Sequence, residues 1–369
     1  MRFMHSADWH VGRTLHGVSL LEDQAHLLDQ FVDLACQEKP DVVILAGDIY
    51  DRSVPPNEAI GLLDDVLCRL VLDLKLQVVV IAGNHDGPAR LSFGSRLLKG
   101  QGLHMLGSPA SPAVVLEDRH GPVHFYPIPF AEPAIVRHCL DRHDLEGHQA
   151  AMQCLLDGLW ARHPKGIRAV AAAHCFVTGG TASESERPVS IGGAGMIDAD
   201  VFKGFDYVAL GHLHRPQACD SDGRVRYSGS LMRYSFTEVD HEKAVLIVDM
   251  DAQGECDVKA VELSPRRQVR RIDGLFDDVV ATAKDDLARD DYLIVTLLDQ
   301  GPIFDAMGKL RLVYPNLLHI DRPAVMPTTG ADERIDHRKM TEMELSRPLS
   351  SRSPAASSAR PRPPPSRQW

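Results

Sequence analysis

At 369 residues the chain is too long for one ordinary hydrophobic core, so two domains and a tail are expected. No apolar stretch approaches the roughly 18 residues of a membrane span, and the N-terminus opens directly on a strand, so neither anchor nor leader is expected and the cytoplasm is the expected compartment. The net charge of -11 lacks the basic excess typical of a nucleic-acid binder, although bound cations would invert the local field and a partner subunit could carry the phosphate contacts.

The first predicted element is a short strand, Arg2 to Ala7, which delivers Asp8-Trp9-His10. Leu21, Ala25, Leu28, Val32 and Ala35 then recur at a 4-3-4-3 spacing, so Ser19 to Glu38 is read as a helix with one apolar face. The run Val42-Val43-Ile44-Leu45-Ala46 is a strand buried on both faces, as in a parallel sheet, and it stops at Gly47-Asp48. A second helical stripe follows at Ile60, Leu63, Leu67, Leu70 and Leu74, with Asn57 as the expected N-cap. Val78-Val79-Val80-Ile81-Ala82 completes a βαβαβ start and runs into Gly83-Asn84-His85-Asp86.

Beyond Asp86 the pattern predicts a short helix over Arg90 to Lys99 and a hairpin pairing Ala113 to Leu116 with Val123 to Tyr126. Helices are predicted over Glu132 to Arg142 and Glu146 to Arg162. Two further apolar runs end in histidine: Ala169 to Ala173 reaches His174, and Tyr207 to Leu210 reaches Gly211-His212-Leu213-His214. The stretch Gly179 to Gly195, rich in Gly, Ser and charge, is a loop, and a long loop beside such strand ends is often functional. Strands are expected over Val225 to Ser228, Lys243 to Met250 and Cys256 to Leu263, giving an α/β fold of two sheets packed face to face with helices outside. Seven cysteines, odd in number and without a CxxC pair, argue against both a thiolate zinc site and a disulfide framework.

Pro265 marks a boundary, followed by Arg266, Arg267, Arg270 and Arg271. The expected organisation is an α/β domain over 1–264, a small α+β capping module over 265–326, the start of a helical region over 327–345, and a disordered tail over 346–369.

Asp-x-His, Gly-Asp, Gly-Asn-His-Asp, a lone His and Gly-His-x-His each follow an apolar run, and in parallel sheets ligands gather beyond the carboxyl ends of the strands. Any one of these motifs is weak; the ordered set is specific. Oxygen and nitrogen donors without thiolates suit manganese, magnesium or iron better than structural zinc. Seven donors exceed one tetrahedral site and suit two metals sharing a carboxylate, the arrangement that clamps an in-line phosphoryl displacement.

In these segments the chain resembles the calcineurin-like metallophosphoesterases. His5-Ser6-Ala7-Asp8-Trp9-His10-Val11-Gly12-Arg13 and Gly47-Asp48-Ile49-Tyr50-Asp51-Arg52 look like the nuclease subunits of double-strand-break repair complexes, a likeness that runs over residues 1–345. The resemblance implies that Asp8, His10, Asp48 and His214 hold a first divalent ion and that Asp48, Asn84, His174 and His212 hold a second, with manganese the expected metal. His85, beside a ligand, is the candidate acid for the departing 3′ oxygen or the group that steadies the scissile phosphate; its bland reading is a spacer with no proton role. Asp86 is read as an orienter or loop cap.

The family further implies 3′ to 5′ exonuclease action on duplex ends, endonuclease action on single strands and hairpins, a homodimer within a heterotetramer, and a coiled-coil ATPase partner. The chain has no GxxxxGK[ST], so ATP dependence would come from that partner. A phosphatase or small-substrate phosphodiesterase is the competing reading, set apart by the module after residue 264. Arg52 and the Arg266, Arg267, Arg270 and Arg271 group are candidate DNA contacts, with ion pairing or a solvated linker as the bland alternative. His5 and Cys175 are expected to pack, and His138, His143, His148 and His163 are read as solvated helix residues. Near Leu345 a helix-like start, with Met343 and Leu345 free to pack, gives way to Ser, Arg and Pro, and Pro361, Pro363, Pro364 and Pro365 forbid helix. A shifted reading frame and a genuine disordered tail both account for that change, and either would weaken docking on the ATPase.

Overall fold

A computed structural model of the chain describes residues 1–186 and 195–322. The expectations for 327–345 and 346–369 lie outside the described residues, as do the last residues assigned to the capping module and part of the loop after Gly179.

The apolar runs form strands buried on both sides. Arg2–Ser6, Val42–Leu45, Gln77–Ile81 and Leu103–Leu106 pair in parallel, and Ala244–Met250 joins Arg2–Ser6 antiparallel, with Cys256–Glu262 at the edge, to complete a six-stranded sheet. The second six-stranded sheet has Gly121–Ile128, Arg168–His174, Tyr207–Gly211 and Val225–Tyr227 in parallel, flanked by the antiparallel strands Val114–Asp118 and Gln217–Ala218.

Because side chains alternate along a strand, the inner faces contribute one shared core: Phe3, Val42, Ile44 and Ile81 meet Phe125, Val170, Tyr207 and Ala209. The outer face of the first sheet is covered by the helices Leu21–Glu38 and Asn57–Cys68, and that of the second by Gly147–Trp160. None of the described helices is long and apolar enough to cross a membrane.

Several local expectations change. Pro56, in extended backbone, occupies the N-cap position, and Asn57 is the first helical residue without a side-chain cap. The helix expected over Arg90 to Lys99 is two short pieces, Pro88–Leu91 and Ser95–Leu98, because Gly94 turns left-handed between them at φ 72°. His163 lies past the helix end and meets the Tyr126 hydroxyl at 2.7 Å, while half-buried His148 faces Glu132.

After Pro265 a parallel sheet of Val269–Gly274, Tyr292–Leu297 and Leu317–Asp321 carries the helices Phe276–Thr282 and Ala306–Arg311. One face builds its own core around Val279, Leu293, Leu310 and Tyr314. The other face puts Val269, Tyr292, Ile294 and Leu318 into the core beneath Leu21–Glu38, and the buried Asp23 accepts from Arg267 at 2.8 Å and from the Tyr292 hydroxyl at 2.7 Å.

Candidate metal centre

The strand ends converge where the carboxyl edges of the two sheets meet. Four of the residues there turn inward through left-handed backbone: Asp8 at φ 54°, His10 at 44°, Asp48 at 51° and His212 at 113°. Non-glycine residues in that region are uncommon, each costs on the order of 1–3 kcal/mol, and such outliers cluster at functional sites. Two glycines permit the approach. A Cβ on Gly83 would stand 2.1 Å from Asp48 Oδ1, and one on Gly211 would stand 2.0 Å from the Ala46 carbonyl and 2.9 Å from His174 Nδ1.

Asp8, His10 and His214 form one group of converging donor atoms, and Asp48, His174 and His212 another, each within 4.8 Å. Asp48 lies between them, its Oδ2 3.8 Å from His10 Nε2 and 3.5 Å from His174 Nε2. The Asn84 carbonyl oxygen completes the second group, 2.9 Å from His174 Nε2 and 3.0 Å from His212 Nδ1. All are buried except Asn84 and His85, which line the opening.

The electrostatics of this cluster call for positive charge. Burial pushes the Asp8 carboxyl well above its usual range and lowers His10 and His212, the latter to about 3. His174 goes the other way: burial disfavours its charged form, yet Asp48 and then Asp8 outweigh burial and push it up to about 9. A proton thus stands on His174 where a cation would serve the same carboxylates.

His10 Nε2 and His214 Nε2 face each other at 3.0 Å and can share only one proton, and buried His10 Nδ1, 3.8 Å from Asp51 Oδ1, has no hydrogen-bond partner. Lone pairs converging without enough hydrogens to pair them fit divalent cations, and these residues could hold two.

The surrounding groups explain the aim of each ring. His174 Nδ1 donates to the Ala46 carbonyl at 2.9 Å, turning Nε2 inward. His85 Nδ1 is 2.7 Å from the Asp51 carbonyl, so its Nε2 faces Asp48 at 4.0 Å. Asp86 accepts from the backbone of Ile49, Tyr50 and Gly83, tying the Asp48 loop to the Asn84 loop. Gln24 donates to the carbonyls of Trp9 and His10 and accepts from Gly12, fixing the first loop. His5 bonds the Tyr207 hydroxyl and the Leu210 carbonyl below the site, and Cys175 is buried.

Sequence reasoning missed Gln24, Ser185, Glu238 and Lys243. Gln24 hides inside an ordinary amphipathic helix, Glu238 and Lys243 carry no local signal, and Ser185 lies in the loop singled out by its composition.

The arginines are not gathered at the site. Arg267 pairs with Asp23, Arg270 with Asp291 at 2.6 Å and Asp286 at 2.9 Å, and Arg266 with Glu22 at 3.0 Å. Arg267 and Arg270 are half-buried and fix the small sheet, whereas Arg52, 3.8 Å from Asp51, and Arg271 are exposed.

Fold and site together define a metallophosphoesterase, and residues 1–216 match the calcineurin-like phosphoesterase family. Residues 265–354 match the family described as the type 5 capsule protein repressor C-terminal domain. The D subunit of nuclease SbcCD from Staphylococcus saprophyticus subsp. saprophyticus is 36% identical over 321 residues, covering 86% of this chain and 84% of that one. Its counterpart in Staphylococcus epidermidis is 34% identical over 323 residues, again with 86% and 84% covered. The chain therefore belongs to the SbcD family, the metal-dependent nuclease subunits of SbcCD. Solved structures from Thermus thermophilus (TT1561; 11% identity, 70% of this chain and 98% of that one) and Danio rerio (a dimetal phosphatase; 16%, 71% and 97%) superpose only loosely, at TM-scores of 0.41 and 0.42.

Proposed function

We propose that this chain hydrolyses DNA phosphodiesters with two divalent ions, manganese in the cell, one held by Asp8, His10, Asp48 and His214 and the other by Asp48, Asn84, His174 and His212. The observation that carries this reading is the position of Asp48, whose one buried carboxylate lies between both donor groups. The ions would supply Lewis-acid stabilisation of the attacked phosphate and of the entering and departing oxygens.

His85 serves as the acid for the departing 3′ oxygen: its Nδ1 is tied to the Asp51 carbonyl, which leaves Nε2 as the atom that holds and delivers the proton. Asp86 and Gln24 keep the loops in register, and the buried walls exclude water from all but the open side of Asn84 and His85.

The substrates are duplex ends, degraded 3′ to 5′, and single-stranded or hairpin DNA cut internally, in repair, recombination and replication. Residues 1–264 carry the chemistry, residues 265–326 cap it, and the exposed Arg271 and Arg52, the latter beside Asp51, are the arginines that meet phosphate. The family name speaks of a second component, and the partner is a coiled-coil ATPase that docks on residues 327–345, weakened here by the proline-rich run that follows.

Two such chains pair in the assembly, in keeping with the exposed Phe93 (85%) in the turn after Pro88–Leu91 and the exposed Leu97 (84%) on Ser95–Leu98. Seven free thiols accord with the reducing cytoplasm. The test is cleavage of end-labelled duplex DNA with Mn2+ and with Mg2+, beside a nitrophenyl phosphodiester. Hydrolysis of the small ester with intact duplex would refute the DNA reading.

A further inference from the structure

The loop after Gly179 reaches back over the metal centre and closes on one residue, His214. Glu186 Oε1 accepts from the backbone N–H of His214 at 2.8 Å, and Lys243 Nζ donates to its carbonyl at 2.7 Å. Ser185 Oγ lies 2.6 Å from the ring nitrogen Nδ1. The same hydroxyl bonds Glu238 Oε1, while Lys243 Nζ holds Glu238 Oε2 at 2.5 Å and Ser230 Oγ at 2.8 Å. Glu238 is wholly buried and Ser185 nearly so. The loop is itself pinned: Glu186 Oε2 accepts from the Ser183 hydroxyl at 2.7 Å, and Arg13 donates to the Ser185 carbonyl at 2.9 Å.

The direction of each hydrogen follows from the partners. Glu238 is ion-paired with Lys243 and can only accept, and the Ser183 hydroxyl 2.9 Å away spends its own hydrogen on Glu186, so the single Ser185 hydroxyl hydrogen points at its shortest contact, Glu238. The Ser185 oxygen is then an acceptor toward His214, whose Nδ1 must carry the proton. Glu238 Oε1 also reaches Nδ1, but at 3.4 Å, so serine at 2.6 Å is the closer partner. With Nδ1 protonated, the bare lone pair of His214 is on Nε2, the atom that faces His10.

We propose that Ser185 is a positioning residue for metal binding: through the Ser185–Glu238–Lys243 relay it sets the tautomer and angle of His214 and so presents Nε2 to a divalent ion. This rests on the reading of His214 as a ligand. Without the hydroxyl, the Nε2–H tautomer becomes competitive and must lose its proton before it can ligate. Groups that orient a ligating histidine typically contribute about 10–100-fold in metal affinity.

The test titrates metal-free protein with Mn2+ by calorimetry and compares Ser185→Ala, Ser185→Thr and His214→Ala, with thermal unfolding of each metal-free variant as the fold control. Ser185→Ala is expected to lose about 10–100-fold at one of two sites and to leave the other unchanged. Ser185→Thr, which keeps the hydroxyl, should restore that site, and His214→Ala should abolish it.

Wild-type affinities in Ser185→Ala beside a lost site in His214→Ala would overturn the relay and leave the ligand reading standing. Equal weakening of both sites in Ser185→Ala would also overturn it. Two intact sites in His214→Ala would overturn the ligand reading itself. Should Ser185→Ala not fold, ¹⁵N-histidine NMR of the wild-type metal-free protein decides: an Nδ1–H tautomer at His214 supports the relay, and an Nε2–H tautomer refutes it.

Discussion

Replacing Asp86 by alanine tests how the centre is held together. The carboxylate is 5% exposed and receives three backbone N–H groups, from Ile49 at 3.1 Å, Tyr50 at 3.0 Å and Gly83 at 2.9 Å. Alanine leaves all three donors without a partner where water does not reach, at roughly 1–3 kcal/mol each. Burial, and then the charge of Asp48, pushes the Asp86 carboxyl up to about 6, so removing it also relieves an unfavourable buried charge. That relief draws the net loss toward the lower end, about 3 kcal/mol.

The two loops hung from Asp86 carry Asp48 and Asn84, so metal affinity should fall together with stability. Asp86→Asn keeps one acceptor oxygen and should lose about 1 kcal/mol. Urea unfolding of the metal-free variants gives the stability change, and calorimetric Mn2+ titration gives the affinity. A loss under about 1 kcal/mol in Asp86→Ala with wild-type metal binding would refute the reasoning.

Asp48→Asn should abolish turnover and most binding at both sites, because one carboxylate serves two donor groups; metal analysis finding two full equivalents would sink the bridging assignment. His85→Ala should keep metals and DNA bound while cleavage falls about 10²–10⁴-fold, and loss of a metal in that variant would mean its role is misassigned. At the opposite end of the sandwich, Arg168 holds the Asp118 carboxyl well below the usual carboxylate range. A depressed folded value means that the stabilisation is complete above the unfolded pKa of about 3.9 and is lost as pH falls through the folded value. The stability gap between wild type and Asp118→Asn, measured by urea unfolding at stepped pH, should therefore be level down to about pH 5 and shrink below about pH 4. A gap that shrinks instead as pH rises from about 4 to about 7, below the range in which the N-terminal amine paired with Asp118 loses its proton, would reverse the sign assigned here.

The two-sheet body was legible because its strands are buried on both faces, and a strand so placed must be a continuous apolar run that turns to Gly, Asp, Asn or His where it leaves the core. The order of those turns along the chain was enough to group Asp8, His10, Asp48, Asn84, His174, His212 and His214 before any coordinates. Val269–Gly274 was not legible as a strand. Its arginines read as a boundary, since nothing nearby in sequence shows that Asp286 and Asp291 neutralise Arg270 or that Tyr292–Leu297 supplies the ladder.

The left-handed backbone at Asp8, His10, Asp48 and His212 was likewise invisible, because the packing around it imposes the conformation, not the residues themselves. Ser185, Glu238 and Lys243 lie far apart in the chain and meet only around His214. Periodicity and turn chemistry act over a few residues, so sequence alone determined the doubly buried strands of the two large sheets and the chemistry at their ends. Which nitrogen each histidine presents, and which charges are already spent on ion pairs, depends on contacts between distant segments, and only the tertiary structure decided it.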